Sequence, residues 1–265
     1  MSKSQLFDVE GKVAVVTGGS RGIGFMIAEA YARNGVRTII CARKASACDA
    51  AAEQLSAMGA QCTSIPADLS SEDGIAEFAR AVREREGSVD VLVNNSGAAW
   101  GAPLSKFPGK AFDKVLNLNV KTPFMLTQAL LPQLKAAASA DDPARVIMVG
   151  SIDGIRVPEG SLDQNYSYSA SKAGVHMLAR HMAHHLVDER ITVNTIAPGP
   201  FVSEMTKAAL GHQEGMDKWA SETPLGRIGT PEDMAGAVLF LSSRASAWLS
   251  GVVLPVDGGH STRAA

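Results

Sequence analysis

The sequence predicts an α/β fold: a single doubly wound, parallel sheet of seven strands with helices on both faces. Three observations lead there. Short β-branched runs alternate with helical stretches along the whole chain, the rhythm of βαβ units joined by right-handed crossovers. The runs are apolar at successive positions rather than at every second one, as strands covered on both faces require. No Pro/Gly/Ser-rich linker divides the 265 residues, so a single domain over 1–265 is expected.

The elements follow in order. VAVVT (13–17) is the first strand, and a helix begins near Gly22. RTIICA (37–42) precedes the helical pattern SACDAAAEQLSAMG, which Gly59 is placed to close as a C-cap glycine. QCTSIPAD (61–68) precedes SSEDGIAEFARAVRERE, with Ser71 as its N-cap. VDVLVNN (89–95), RVIMVGS (145–151), ITVNTIAP (191–198) and GVVLPVDG (251–258) are the remaining strands. LKAAASADDPAR (134–145) is a helix end followed by a turn.

Bulk properties narrow the partners. Hydrophobic residues make up 46% and charged residues 20%, as in an ordinary globular protein. The net charge is −2 and no long basic run occurs, which argues against nucleic acid or an anionic membrane as the main partner. No stretch approaches ~18 uninterrupted apolar residues, so a membrane-spanning helix is not expected. The first residues, MSKSQLFDVEGK, lack an apolar signal core, and a cytoplasmic protein is expected. Cys41, Cys48 and Cys62 have no CxxC spacing and suit reduced thiols.

Between the first strand and the first helix lies TGGSRGIG (17–24), with Gly18, Gly22 and Gly24 spaced G-x-x-x-G-x-G and Gly19 as an extra. Glycine permits a tight turn and lets backbone N–H groups approach a pyrophosphate at a helix N-terminus. A glycine-rich turn also arises from close helix–strand packing alone. Its position directly after VAVVT favours nucleotide binding. A dinucleotide site that prefers NAD places an acid after the second strand, to bind the ribose hydroxyls. Here that strand ends IICARK, with Ala42 and Arg43 in that place. Arg43 with Arg21 suits a 2′-phosphate, although both also suit solvated loops. NADP(H) is therefore expected in preference to NAD(H).

TGGSRGIG, NNSG (94–97), Asn119 in NLNV, Ser151 in VGS, YSASK (168–172) and APG (197–199) together resemble the short-chain dehydrogenase/reductase family, a group with Rossmann-type folds. The resemblance runs from about Gly11 to Gly259. Within the family, CARKASAC, IPADLSSE, NNSGAAWG, ARVIMVGS and IAPGPFVSEMT are similar to β-ketoacyl reductases of the rhamnolipid type. The resemblance implies a catalytic tetrad of Asn119, Ser151, Tyr168 and Lys172. It also implies cofactor contacts from Gly18, Ser20, Arg21, Gly22, Ile23, Gly24, Arg43, Asp68, Leu69, Asn95, Gly97, Tyr168 and Lys172. Ile196, Pro198 and Gly199 would flank the nicotinamide, and Ser203 would take the place of a family Thr. Residues 11–198 would form the cofactor-binding and catalytic core, 199–230 a substrate lid, and 231–259 the final helix and strand. A homotetramer, or a homodimer, is implied, with a small carbonyl or alcohol as substrate.

The chemistry explains why such residues are needed. A free tyrosine titrates near ~10, and a neighbouring ammonium is expected to draw that value down. Residues four apart share a helix face, as Tyr168 and Lys172 do. Tyr166 has Ala170 at that spacing, and is placed in the loop before the helix as a pocket or packing aromatic. Ser151 suits a hydrogen bond to the substrate carbonyl, or a plain N-cap. Asn119 lies in a helical pattern, where a buried amide needs partners, and the family role gives it a water that contacts Lys172. Asn117, two positions earlier, faces elsewhere. Ser151 and Tyr168 are 17 residues apart, more than the family's usual spacing, and Ser161 lies nearer in sequence.

Trp100, Tyr166, Phe201 and Met205 are candidate pocket walls, as is Trp219, although each also suits a core. Segment 203–227 suits two short helices acting as a lid. His176, His181, His184 and His185 lie on one helix, but no HExxH and no completing ligand set accompany them. Interface or surface histidines are expected, and no metal. The expected activity is hydride transfer between NADP(H) and a ketone or secondary alcohol, with a 3-oxoacyl thioester as first substrate. A polyol or sugar-acid dehydrogenase is the alternative within that chemistry, and a catalytically silent cofactor-binding regulator is the alternative outside it.

Overall fold

A computed structural model describes residues 6–158 and 164–263. Its strands are β1 (Val13–Thr17), β2 (Arg37–Cys41), β3 (Cys62–Ser64), β4 (Val91–Asn94), β5 (Ala144–Val149), β6 (Ile191–Pro198) and β7 (Val253–Val256). They form one sheet in the order β3-β2-β1-β4-β5-β6-β7, parallel at every pairing. Val15 of β1 pairs with Ile39 on one side and Leu92 on the other. The strand order reverses at β1, so the loops after β1 and β4 open a crevice at the carboxyl edge.

The helices are α1 (Gly22–Arg33), α2 (Ala45–Ser56), α3 (Glu72–Arg83), α4 (Gly109–Leu116), α5 (Thr122–Ala129), α6 (Leu131–Ala137), α7 (Tyr166–Leu186), α8 (Lys207–Leu210), α9 (Gln213–Glu222) and α10 (Pro231–Ser242). They cover both faces. Ala14 and Val16 belong to a core shared with Ile27 and Tyr31 of α1 and with Met234, Val238 and Leu241 of α10. Val13 and Val15, pointing the other way, join a second core with Phe78 of α3, Leu126 of α5 and Val175 of α7. This two-sided burial is why the strands are apolar throughout.

Ser71 caps α3, its hydroxyl accepting from Gly74 N–H at 3.1 Å. Gly59 is not a C-cap: α2 ends at Ser56 with Ala57 in the right-handed region. A Cβ at Gly59 would lie 2.6 Å from the Ala32 carbonyl oxygen, so close passage over α1 is what excludes a side chain there. The three cysteines are free and buried, and burial pushes the Cys41 and Cys62 thiols up to about 12. No helix among the described residues is long and apolar enough to cross a membrane.

Beyond β6 the chain leaves the sheet and returns through a parallel bridge between Phe201 and Gly229, where Gly229 N–H donates to Pro200 O at 2.9 Å. The excursion between them carries α8 and α9, matching the two short helices expected there.

Candidate active site

The site is assembled by the loops after β1, β4, β5 and β6 and by the start of α7. In the first loop Gly18 and Gly22 hold φ of +68° and +55°, conformations that favour glycine. A Cβ at Gly24 would come within 2.3 Å of the Gly18 carbonyl oxygen, so the turn closes on itself only with glycine there. Arg21, exposed and extended, precedes α1 without a side-chain cap bond, and the first turn of α1 holds no acid. That geometry fits a bound phosphate: open N–H groups, a positive helix end and no Cβ in the way. Ser20 is half-buried in the turn and Ile23 opens the apolar face of α1.

Thr17 at the end of β1 organises the β4 loop. Its hydroxyl accepts from the Asn95 and Ser96 N–H groups, both at 2.9 Å. The Asn95 amide donates back to Thr17 O at 2.8 Å and to Gly18 O at 3.3 Å. Asn95 thus ties the glycine loop to β4, with Gly97 exposed beyond it. Asp68 lies at the neighbouring edge, its carboxylate accepting from Ser70 N–H and Oγ at 3.0 and 2.8 Å. Those bonds, with Arg43 and Lys114 nearby, hold its carboxyl below the usual range. Arg43 is exposed after β2, and Leu69 is buried beside Asp68. Ser203 packs over the loop: its Cβ lies 3.2 Å from where a Gly22 Cβ would stand. Arg21 reaches Glu204 at 4.0 Å. Pro198 ends β6, and Gly199 lies too close to Asp257 to carry a side chain, at 2.6 Å.

Asn119 is buried between two loops. It lies in a π-helical turn (Asn117–Lys121) that joins α4 to α5, rather than in the regular helix that its surroundings suggest. Its Oδ1 accepts from Ala98 N–H at 2.8 Å, and its Nδ2 donates to Ala98 O and to Ser171 Oγ, both at 2.9 Å. Ser171 in turn donates to Tyr168 O at 2.7 Å. The amide is fully partnered, and links the β4 loop to the helix carrying Tyr168. Asn117 instead bonds Ser70 O at 2.8 Å.

Asn165 precedes α7, and its carbonyl accepts from Tyr168 and Ser169 N–H at 2.8 and 3.1 Å. Tyr166 is therefore the first residue of the helix and not part of the preceding loop. It is 43% exposed and meets Phe107 edge-on at 5.8 Å. Lys172, 6% exposed, lies with its ammonium 5.4 Å from the Tyr168 ring centroid and donates to Val149 O at 2.7 Å. Burial brings its pKa down to about 8, with Asp153 pulling the other way. The Tyr168 phenol is raised above its ordinary value, first by burial and then by the Asp153 charge, while a hydrogen bond with Ser151 works against both. The expected lowering by Lys172 is not met, because the ammonium is turned to Val149 and desolvation of the phenolate outweighs it. Ser151, buried just after β5, accepts from Asp153 N–H at 3.1 Å. Ser161 lies outside the described residues.

The family model described as Enoyl-(Acyl carrier protein) reductase matches residues 18–261. The chain belongs to the short-chain dehydrogenase/reductase family. As a short-chain dehydrogenase/reductase it is an oxidoreductase. It is 46% identical over 253 residues to the rhamnolipids biosynthesis 3-oxoacyl-[acyl-carrier-protein] reductase of Pseudomonas aeruginosa, covering 96% of this chain and 97% of that one. It is 33% identical to the gluconate 5-dehydrogenase of Gluconobacter oxydans, covering 98% of each. The solved Pseudomonas aeruginosa RhlG/NADP active-site complex superposes with a TM-score of 0.92 at 46% identity, over 97% of this chain and 99% of that one.

In this short-chain dehydrogenase/reductase, two sequence expectations at the periphery need correction. Phe201 is 1% exposed and belongs to the core, its ring filling the space beside Gly229; it lines no pocket. His176 is buried, unlike exposed His181, His184 and His185, which stack among themselves at 4.8 and 4.9 Å. Trp219 stacks on His260 at 5.4 Å, while Trp100 and Met205 are exposed on the segments that follow β4 and β6. Thr17, Asp153 and Ser171 were not singled out by sequence. Ser171 stood within YSASK, three residues from Tyr168, and Asp153 stood two residues after Ser151, so proximity to the motifs was the available signal.

Proposed function

We propose that this chain is an NADP(H)-dependent carbonyl reductase acting on 3-oxoacyl thioesters. The observation that carries the reading is the grouping of Tyr168, Lys172 and Ser151 at the carboxyl edge of the sheet, beside a glycine loop shaped for phosphates. The glycine loop and the N-terminus of α1 would hold the pyrophosphate, and Arg21 and Arg43 the 2′-phosphate. When bound, the cofactor supplies the hydride. Ser151 and Tyr168 orient the carbonyl by hydrogen bonds to its oxygen. Tyr168, kept in the phenol form by burial and Asp153, donates its proton to the developing alkoxide. Lys172, with a pKa brought to about 8, can return a proton to the site near neutral pH. Asn119 holds the β4 loop and α7 at a fixed spacing.

The substrate class rests on the apolar character of the cleft rim. Trp100, Leu104, Ile155, Val157 and Met205 are exposed on the segments that border it, a surface suited to an acyl chain and poor for a polyol. Residues 199–230 would act as the lid. Phe124 on α5, Met177 on α7 and the almost fully exposed Trp248 support a homotetramer or homodimer, and a cytoplasmic location accompanies this reading. The test is NADPH oxidation with 3-oxoacyl thioesters of increasing chain length and with 5-ketogluconate. Rising kcat/KM with acyl length is expected. A preference for 5-ketogluconate would overturn the substrate class, and NADPH binding without any turnover would favour a silent regulator.

A further inference from the structure

Tyr168, Lys172 and His176 follow one another at four-residue steps on α7, so His176 stands on the same helix face one turn beyond the lysine. Its ring is 5% exposed and is inserted into the turn that carries Ser151. Two glycines make room for it. A Cβ at Gly150 would lie 2.2 Å from the His176 Nε2, and one at Gly154 would lie 2.7 Å from Cε1. Nε2 accepts a hydrogen bond from the Ser151 N–H at 3.4 Å. The ring also lies against the Gly154 backbone, so a side chain there would collide with it. With Nε2 an acceptor, the proton is on Nδ1. The imidazole therefore holds the turn by the Ser151 N–H and packs against Gly154 at its far end.

This arrangement answers a question that the proposed chemistry leaves open, namely what holds the main chain of Ser151. The Ser151 hydroxyl is shared between Asp153 N–H and Tyr168, and its side chain offers no further anchor. The backbone anchor comes from α7 itself. Because one helix carries both Tyr168 and His176, it sets the spacing between the phenol and the serine hydroxyl.

We infer that His176 is a positioning residue for the reaction: a neutral imidazole that fixes the Ser151 backbone, and through it aims Oγ at the Tyr168 hydroxyl and the substrate oxygen. The inference rests on the reading of Ser151 as a group that touches substrate. Gln places an amide oxygen near the Nε2 position and can accept from Ser151 N–H, whereas Leu fills the volume with no acceptor.

The experiment is a double-mutant cycle with Ser151→Ala, His176→Leu and His176→Gln, assayed for kcat and KM on a 3-oxoacyl thioester. NADPH affinity by fluorescence and thermal melting accompany each variant. His176→Leu is expected to lower kcat about tenfold, the scale of one lost oriented hydrogen bond, with NADPH affinity unchanged. His176→Gln should recover most of that loss, and His176→Leu should add little in the Ser151→Ala background. Should His176→Leu fail to fold, the Gln variant and the nitrogen resonances of His176 in the wild-type protein still decide: Nε2 must show the unprotonated shift and Nδ1 the protonated one at neutral pH. A protonated Nε2, an undiminished kcat in His176→Leu, a Gln variant no better than Leu, or full additivity with Ser151→Ala would each overturn the assignment. Full activity in Ser151→Ala alone would instead overturn the reading of the serine on which it rests.

Discussion

Replacing Asn119 by Ala removes three hydrogen bonds at once, those at 2.8, 2.9 and 2.9 Å to Ala98 N–H, Ala98 O and Ser171 Oγ. At about 1 kcal/mol net for each buried bond, the loss is about 3 kcal/mol. Alanine's better helix propensity returns roughly 0.5 kcal/mol, which leaves about 2.5 kcal/mol of destabilisation. For a chain of this size that corresponds to a fall in Tm of about 5–10 °C. The assay is urea and thermal unfolding at one fixed protein concentration, because assembly would make the midpoint concentration-dependent. Asn119→Asp serves as the control: it keeps an acceptor for Ala98 N–H, loses both donated bonds and buries a charge, so it should be no more stable than the alanine variant. A loss below about 1 kcal/mol for Asn119→Ala would refute the claim that this side chain couples the β4 loop to α7.

Three further outcomes are expected. Tyr168→Phe should abolish nearly all turnover while leaving NADPH affinity within a few-fold, and Tyr166→Phe, at a ring that meets Phe107 edge-on, should do far less; the opposite order in initial rates sinks the assignment. Arg43→Asp should shift the ratio of kcat/KM values for NADPH and NADH towards NADH, by about tenfold or more for loss of a charge-assisted phosphate contact; an unchanged ratio would mean that Arg43 is only a solvated loop residue. Lys172→Met should lose activity yet gain stability, because the wild-type protein buries an ammonium. The Lys172 pKa falls from 10.5 to about 8 on folding, so folding expels a proton and wild-type stability rises with pH across that window. The variant's advantage should be greatest below about pH 8 and vanish above about pH 10.5, as read by urea unfolding across the range; a pH-independent difference would contradict it.

The sheet was legible because two-sided burial writes itself into composition. β1 and β6 match the apolar runs VAVVT and ITVNTIAP residue for residue. What sequence could not separate was residues of one kind placed in different surroundings. Gly59 looks like a helix stop, but its constraint is the Ala32 carbonyl of another helix. Phe201 follows a strand as a pocket aromatic would, yet the bridge to Gly229 turns it inward. Asn119 carries no local mark of the π turn that lets its amide reach Ala98 and Ser171 together. The four histidines share one helix, and only tertiary packing separates His176 from the exposed three. The pair Tyr168 and Lys172 was readable from spacing, whereas the raised phenol pKa required knowing that the ring is buried and that Asp153 lies nearby.

The parallel bridge between Phe201 and Gly229 bears on how this enzyme could change substrates. It ties the two ends of the excursion carrying α8 and α9 to each other, just beyond β6. The excursion is then a closed loop whose ends are held irrespective of what lies between. Doubling the length of such a loop adds only about 0.6 kcal/mol of closure entropy. The rim of the cleft can therefore be lengthened, shortened or rewritten while the glycine loop, Tyr168 and Lys172 stay in register. On the proposed reading of residues 199–230 as a lid, selectivity and hydride chemistry are mechanically separable, and the segment between Phe201 and Gly229 is the natural place to graft a relative's sequence.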